Sequence, residues 1–452
     1  MKTQKNPHPT TQSVGWGIDP SVSSHPIQQM GRMTHPTILI AGLLALAFTS
    51  HKPCLAQLVV RGRTVYTMTG APIKDGAVLI RDGKIQAVGP ASQILANAQG
   101  LKVLLAKVVT PGLIDAHATV GLTGYLNQAQ DQDQLEHSDP MQPELRAIDA
   151  YNPQERLIKW VRDFGITTVN TGHAPGEIIS GQTMIIKTAG HTVDDAVMVP
   201  TAMVAATLGE GAVKGRGRRG RTGKNDRKSP GTRSKAVAML REELIKAQAY
   251  LKKLDTAEDD KKPDRDLRLE TLGRVLKGEL PLLVTVHRAY DIITTLRLAR
   301  EFHHIRLILD GAAEAYMVID EIKAAGVPVI VHPTMMRSGR GETENASMET
   351  AAKLHAAGIP IAMQSGYESY VPKTRVVLFE TAVAAANGLS FDDALAAVTI
   401  NAAKILGIDK RVGSLEVGKD ADLALYDGDP FEYTSHCIGV VIDGNIVSDS
   451  PH

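Results

Sequence analysis

Residues 282–333 read LLVTVHRAYDIITTLRLAREFHHIRLILDGAAEAYMVIDEIKAAGVPVIVHP. Three apolar runs stand out: Leu282 to His287, Ile305 to Asp310 and Val327 to His332. Each is short and branched-chain rich, as buried strands are. The stretches between them, Asp291 to Phe302 and Ala313 to Ala325, space their apolar residues at the helical period. A fourth run, Ile359 to Gln364, follows another helical stretch, Ser347 to Ala357. Strand starts near 282, 305, 327 and 359 recur at the spacing of βα units, which predicts an α/β fold with a parallel (β/α)8 TIM-like barrel. A doubly wound open sheet shares this periodicity.

Upstream, Ile166 to Asn170, Met184 to Lys187 and Met198 to Ala205 are further strand candidates. Pro153 to Phe164 reads as a helix, with Asn152 as N-cap and Pro at the first helical position. Outside this region the style changes. Leu58 to Val60, Ala77 to Ile80 and Lys84 to Val88 are β runs, the last two joined by Asp82-Gly83. Asp422 to Tyr426 and Gly439 to Ile442, with the Asp443-Gly444 turn, repeat that style near the other end. Neither flank holds enough residues for a core of its own. The expected organisation is a barrel over 111–405 and one small composite β sandwich built from both ends, 58–110 plus 408–448.

The chain of 452 residues carries 50 Lys+Arg against 49 Asp+Glu, a formal net charge of +1, with 43% hydrophobic residues. These values exclude wholesale disorder and a polytopic membrane protein, and they give no global field to recruit nucleic acid. The apolar run Ile38 to Phe48 is too short to span a bilayer. Arg32 precedes it and Cys54-Leu55-Ala56 follows as a small-residue cleavage signal. Residues 1–56 therefore read as a signal peptide, and the protein as exported, periplasmic or secreted, with no stable membrane span after cleavage. A buried helix is the alternative. Met30 or Met33 as the start would shorten an unusually long leader. Cleavage leaves Cys437 alone, which excludes an intramolecular disulfide and a cysteine-based zinc cluster.

Lys214 to Lys235 interrupts the barrel pattern with ten basic residues, one acid (Asp226), five Gly and one Pro. This flexible basic loop at 214–235 is read as a solvated insertion, with an anionic partner as the second reading. No aromatic residue lies within it to stack bases, and no specific nucleic-acid binding is expected.

Pro111-Gly112-Leu113-Ile114-Asp115-Ala116-His117 is an apolar strand that ends in a histidine. It resembles the first barrel strand of the metal-dependent amidohydrolase superfamily. Gly413 to Leu423 is similar to the stretch on which those enzymes re-enter their β sandwich. Similarity to the imidazolonepropionase-like branch covers 165–190, 287–302, 314–333 and 389–407. The resemblance implies a divalent metal held by histidines at the C-terminal ends of strands, sometimes with a carboxylated Lys, and a final Asp that takes the proton from a metal-bound water. Zinc or another divalent metal would be the cofactor, and a small molecule with a carbon–nitrogen bond, such as a cyclic amide or peptide, the ligand at the barrel mouth.

The chain departs from that pattern at most ligand positions. Thr119 stands at the second His of the first pair, Thr285 at a usual ligand with His287 kept as its companion, Asp310 where His is usual, and Gly366 at the general-base Asp. His117, His287 and Asp310 are the residual metal candidates. Lys187 and Glu210 are candidates for a bridging ligand, and neither Glu368 nor Asp310 can be set beside a water from sequence. The first expectation is an amidohydrolase-family pseudoenzyme that has lost the standard metal centre. The alternative is an active metal-dependent hydrolase with a site remodelled around His117, His287 and Asp310.

Overall fold

The computed structural model describes residues 57–126, 128–213, 230–336, 341–367 and 376–451. The expected signal peptide, residues 214–229 of the basic loop and Glu368 lie outside the described residues. Strands β1 (Leu58–Val65), β2 (Ile73–Arg81) and β3 (Lys84–Pro90), the short helix α1 (Ala91–Ala96) and β4 (Lys102–Pro111) come first. Asp82 and Gly83, at φ of 52° and 75°, make the tight two-residue turn between β2 and β3.

The barrel follows with β5 (Leu113–Ala118), α2 (Arg156–Asp163), β6 (Ile166–Thr171), β7 (Ile179–Lys187), α3 (Val193–Ala196) and β8 (Val197–Thr207). It continues through α4 (Arg233–Thr256), α5 (Leu267–Leu276), β9 (Leu282–Val286), α6 (Ala289–Glu301), β10 (Leu307–Gly311), α7 (Ile319–Ala325), β11 (Val329–Val331), α8 (Thr350–Ala356) and β12 (Ile361–Met363). Helices α9 (Val377–Ala386), α10 (Phe391–Ala397) and α11 (Ile400–Leu406) lead to β13 (Leu423–Tyr426), β14 (Cys437–Ile442) and β15 (Asn445–Ser448).

Both chain ends contribute to one seven-stranded sheet, ordered β15-β14-β13-β4-β1-β2-β3. The join is antiparallel, with Leu423 opposite Pro111 and Tyr426 opposite Val108. Strand alternation puts Leu58, Val60, Val78, Ile80, Val109 and Leu423 into one apolar cluster. Val59, Ala77 and Leu79 go to the other face, against Ile94 of α1.

The second sheet is eight-stranded, β5 through β12 in sequence order. It comes nearly full circle: Gly366, just past β12, bridges Ala118 of β5, and its N–H donates to the His117 carbonyl at 3.1 Å. The expected barrel is thus present as a TIM-like α/β architecture, with one correction to strict (β/α)8 repetition. β7 is antiparallel to both β6 and β8. No helix separates β6 from β7, so the chain returns by a direct reversal, and parallel neighbours would need a long crossover.

Two boundaries also move. Glu155 caps α2, its carboxylate accepting from Leu157 N at 2.6 Å, while Asn152 accepts from Gln154 N one turn earlier. Thr232 caps α4, so the last three residues of the basic segment are helical. At the N-terminal end of the strands, α11 plugs the barrel: Ala402, Ala403 and Ile405 cluster with Ile114, Leu283, Ile308 and Ile330. Among the described residues no helix is long and apolar enough to cross a membrane.

Candidate functional site

The C-terminal ends of β5, β9, β10 and β12 surround a pocket of ≈ 250 Å³ that includes His117, Thr285, His287, Asp310, Gln364 and Ser365. This is the face on which barrel sites form. The three residual metal candidates are therefore brought together, and so are the three other substituted positions, Thr119, Thr285 and Gly366.

Asp310 is the centre of the floor. Its neighbour in register on β9 is Thr285, whose hydroxyl donates to Asp310 Oδ2 at 2.5 Å. Gln364 Nε2 donates to Oδ1 at 2.8 Å, and His117 Nδ1 lies 3.1 Å from the same oxygen. That last contact is an ion-pair distance without the alignment of a directed hydrogen bond. Burial alone would raise the Asp310 pKa, but the His117 charge and the Thr285 and Gln364 donors outweigh it and hold the carboxyl below its ordinary value. Burial likewise opposes protonation of His117, and the charges of Asp310 and Asp115 outweigh it and raise the imidazole's pKa. The pair is mutually stabilising in its charged form.

Asp115, two residues before His117, accepts from Ser365 N at 3.0 Å and from the Ser365 hydroxyl, tying β5 to the segment after β12. Complete burial pushes its carboxyl up to about 7, against those hydrogen bonds. His287 is half-buried, and desolvation pushes its imidazole down to about 4, so it is neutral at physiological pH. Gly311 is required beside it: at φ +74° a Cβ there would sit 2.6 Å from His287 Cε1. Thr119 faces a turn, accepting from the Thr123 hydroxyl at 3.1 Å and, through its carbonyl, from Leu122 N and Thr123 N. Among the described residues, no group of three His, Cys, Asp or Glu side chains is disposed to hold a metal ion.

The bridging candidates do not join the pocket. Lys187 ends the antiparallel strand β7 opposite Thr168 at the start of β6, so it lies at the other end of the barrel. There its ammonium pairs with Asp420 at 2.8 Å, Asp422 at 3.2 Å and Asp443. Glu210 is exposed beyond β8, 3.7 Å from Arg233. Sequence reading passed over Asp115, Gln364 and Ser365. Asp115 stood inside the quoted first-strand motif, while Gln364 and Ser365 acquire partners only when the barrel closes.

A (β/α)-type barrel with its pocket at the strand C-termini, joined to a sheet made from both chain ends, defines the class. The profile of the Amidohydrolase family matches residues 288–448, and that of the bacterial imidazolonepropionase-like composite domain matches 76–98. The chain is 24% identical over 405 residues to amidohydrolase tasK of Hapsidospora irregularis, covering 83% of this chain but 40% of that protein's length. It is 25% identical over 395 residues to an imidazolonepropionase of Fusobacterium nucleatum, covering 81% and 88% of the two chains. The crystal structure of an amidohydrolase from Thermotoga maritima superimposes with a TM-score of 0.77 at 28% identity, over 87% of this chain and 100% of that one. The chain belongs to the amidohydrolase superfamily, on its imidazolonepropionase-like branch.

Proposed function

We propose that this chain is an amidohydrolase-family pseudoenzyme, which keeps the mouth pocket for a small polar ligand without the family's metal centre. One observation carries the reading. Both oxygens of Asp310 are already engaged by Thr285, Gln364 and His117. A divalent ion needs several free, convergent donors, and recruiting Asp310 and His117 would break an ion pair whose partners stabilise each other's charge. Apart from His287, the neighbouring positions Thr119, Thr285, Gln364, Ser365 and Gly366 offer hydroxyl, amide and glycine, which are poor donors to a borderline-soft cation. Elemental analysis of the purified full chain, alone and after incubation with zinc, tests this together with assays on cyclic amides and dipeptides. We expect far less than about one tightly held ion per chain and no hydrolysis. Stoichiometric metal, with a hydrolase activity abolished by His117→Ala, overturns the reading.

The second reading, a hydrolase using zinc or another divalent metal at His117, His287 and Asp310, is favoured by the shared pocket of those three residues. The metal analysis decides between the two.

Three subsidiary proposals accompany this one. The seven-stranded sheet works as a composite β-sandwich domain, 58–110 plus 408–448, against a barrel at 111–405. The backbone bonds of Ala421 N to Gly83 O and Gly444 N to Ala421 O support it by linking the sheet's far strands. Residues 1–56 direct export to the periplasm or beyond, which N-terminal sequencing of mature protein checks: retention of residues 30–50 on a cytoplasmic protein overturns it. The basic loop is available to an anionic partner, and such binding would fall steeply with salt.

A further inference from the structure

The end of the barrel opposite the mouth carries a second concavity, independent of the reading above. Pro281, Arg306, Pro328 and Pro360 immediately precede β9, β10, β11 and β12, so they stand side by side along the basal rim. A groove of ≈ 890 Å³ crosses them, within the range of roughly 300–1,000 Å³ common for small-molecule sites. Its walls come from α6, α7 and the plugging helix α11; half-buried Ile305 and Val327 supply apolar surface, with the edges of the buried Leu296, Leu307 and Ile405 between them.

The rim is cationic. Arg300, His303, Arg306 and Lys404 are all exposed, and among the described residues no Asp or Glu lines the groove. Among the described residues none of Arg300, Arg306 and Lys404 makes an ion pair; the Glu416 carboxyl is held below its ordinary value chiefly by its bond to Lys419, at 2.8 Å, and only more weakly by the Lys404 charge. Unpaired Arg and Lys heads above an apolar floor leave two demands open at once: an anion for the heads and a chain to cover the floor. An inorganic anion meets only the first demand and a neutral lipid only the second. Four adjacent strand starts span three gaps of about 4.8 Å, roughly 14 Å in all. That matches an extended alkyl chain of about ten to twelve carbons at ordinary carbon–carbon spacing. A protein partner would need about 800 Å² on each side, more than a groove of this length offers.

We propose that the basal groove binds one medium-chain fatty carboxylate, the alkyl chain lying along the strand starts and the carboxylate held by the rim of Arg300, Arg306 and Lys404. The test is calorimetric titration of the delipidated full chain with dodecanoate below its micelle concentration. Dodecanol and hexanoate serve as controls, alongside the variant Arg300→Ala/Arg306→Ala/Lys404→Ala. All three substitutions are at exposed positions, and an unchanged urea unfolding midpoint establishes that the fold is intact. The expected result is saturable one-to-one binding of dodecanoate, weakened at least tenfold in the triple variant and at least tenfold for either control ligand. His117→Ala should leave it unchanged. No saturable binding, equal affinity for dodecanol, no effect of the triple variant, or binding confined to anionic vesicles or to an acidic peptide would each overturn the proposal.

Discussion

Thr285 and Asp310 are neighbours in register on the parallel strands β9 and β10, and the threonine hydroxyl closes Asp310 Oδ2 at 2.5 Å. Thr285 thus acts as a hydrogen-bond donor to the next strand's carboxylate. Gln364 and His117 complete the arrangement on Oδ1, so both carboxylate oxygens are engaged, while among the described residues the ring nitrogens of His117 and the Nδ1 of His287 have no hydrogen-bond partner.

Removing that donor should be felt in stability. Thr285→Val keeps the shape and deletes the hydroxyl, leaving a buried carboxylate oxygen short of a partner. Unfolding free energy should fall by about 1.5–3 kcal/mol, the range for hydrogen bonds to charged groups. The Asp310 carboxyl should titrate higher than in wild type. In an Asp310→Asn background the cost should shrink, and a urea-unfolding double-mutant cycle reads the coupling. Strict additivity would show that the two side chains act separately.

Rebuilding the family's ligand set by Thr119→His, Thr285→His, Asp310→His and Gly366→Asp meets an obstacle at the last position. Gly366 has φ of +66°, and a Cβ there would lie 2.8 Å from Pro333 Cγ. The backbone that closes the barrel onto His117 is therefore one that glycine accepts and aspartate resists. Gly366→Asp alone should destabilise by about 1–3 kcal/mol, with Gly366→Ala close behind it. Zinc affinity, by competition with a chromogenic chelator, should rise with the three histidines and gain little from the added Asp. A large gain from Gly366→Asp in a fully stable protein contradicts this account.

The parallel units after residue 282 were legible because each strand is a short buried run, followed by a helix with its own period. β7 was half seen. Only Met184 to Lys187 read as strand, since Gly181 and Gln182 interrupt the apolar run, and periodicity carries no direction. Lys187 was consequently expected at the mouth and lies at the base. In the site, His117, His287 and Asp310 were visible as strand-end donors. Gln364 and Ser365 were not, because their partners, Asp310 and Asp115, lie far off in sequence and meet them only after closure.

At the base, Lys187 is buried among Asp420, Asp422 and Asp443, and links β7 to the composite sheet. Lys187→Met would leave buried carboxylates without that cation, at a cost of about 3–5 kcal/mol. Arg61→Ala, which breaks an exposed pair with Asp75 on the same sheet, should leave the urea midpoint essentially where it was. Equal effects from the two variants would mean that the buried network adds nothing beyond a surface pair.

The same network sets a pH dependence with two opposed limbs. Burial raises the Asp420 pKa, but the charge and hydrogen bond of Lys187, with Lys84 and Arg411, bring it down to about 2. A depressed carboxyl stabilises the fold above its ordinary range near 4, and that contribution, roughly 2 kcal/mol, is lost as pH falls through about 2. Asp422 behaves oppositely. Burial, with the Asp443 charge added, lifts it to about 6 against the pull of Lys187. Its contribution is fully present below the ordinary carboxylate range and is lost as pH rises through about 6, in the same direction as the loss from Asp115 through about 7. Urea midpoints measured from pH 2 to 8 should therefore peak near pH 4, above which Asp420 adds nothing further and the contributions of Asp422 and Asp115 are progressively lost. Asp420→Asn should flatten the acid limb while leaving the upper one, and Asp422→Asn should do the reverse. Parallel shifts of the whole curve in both variants would show that neither carboxyl titrates as its surroundings dictate.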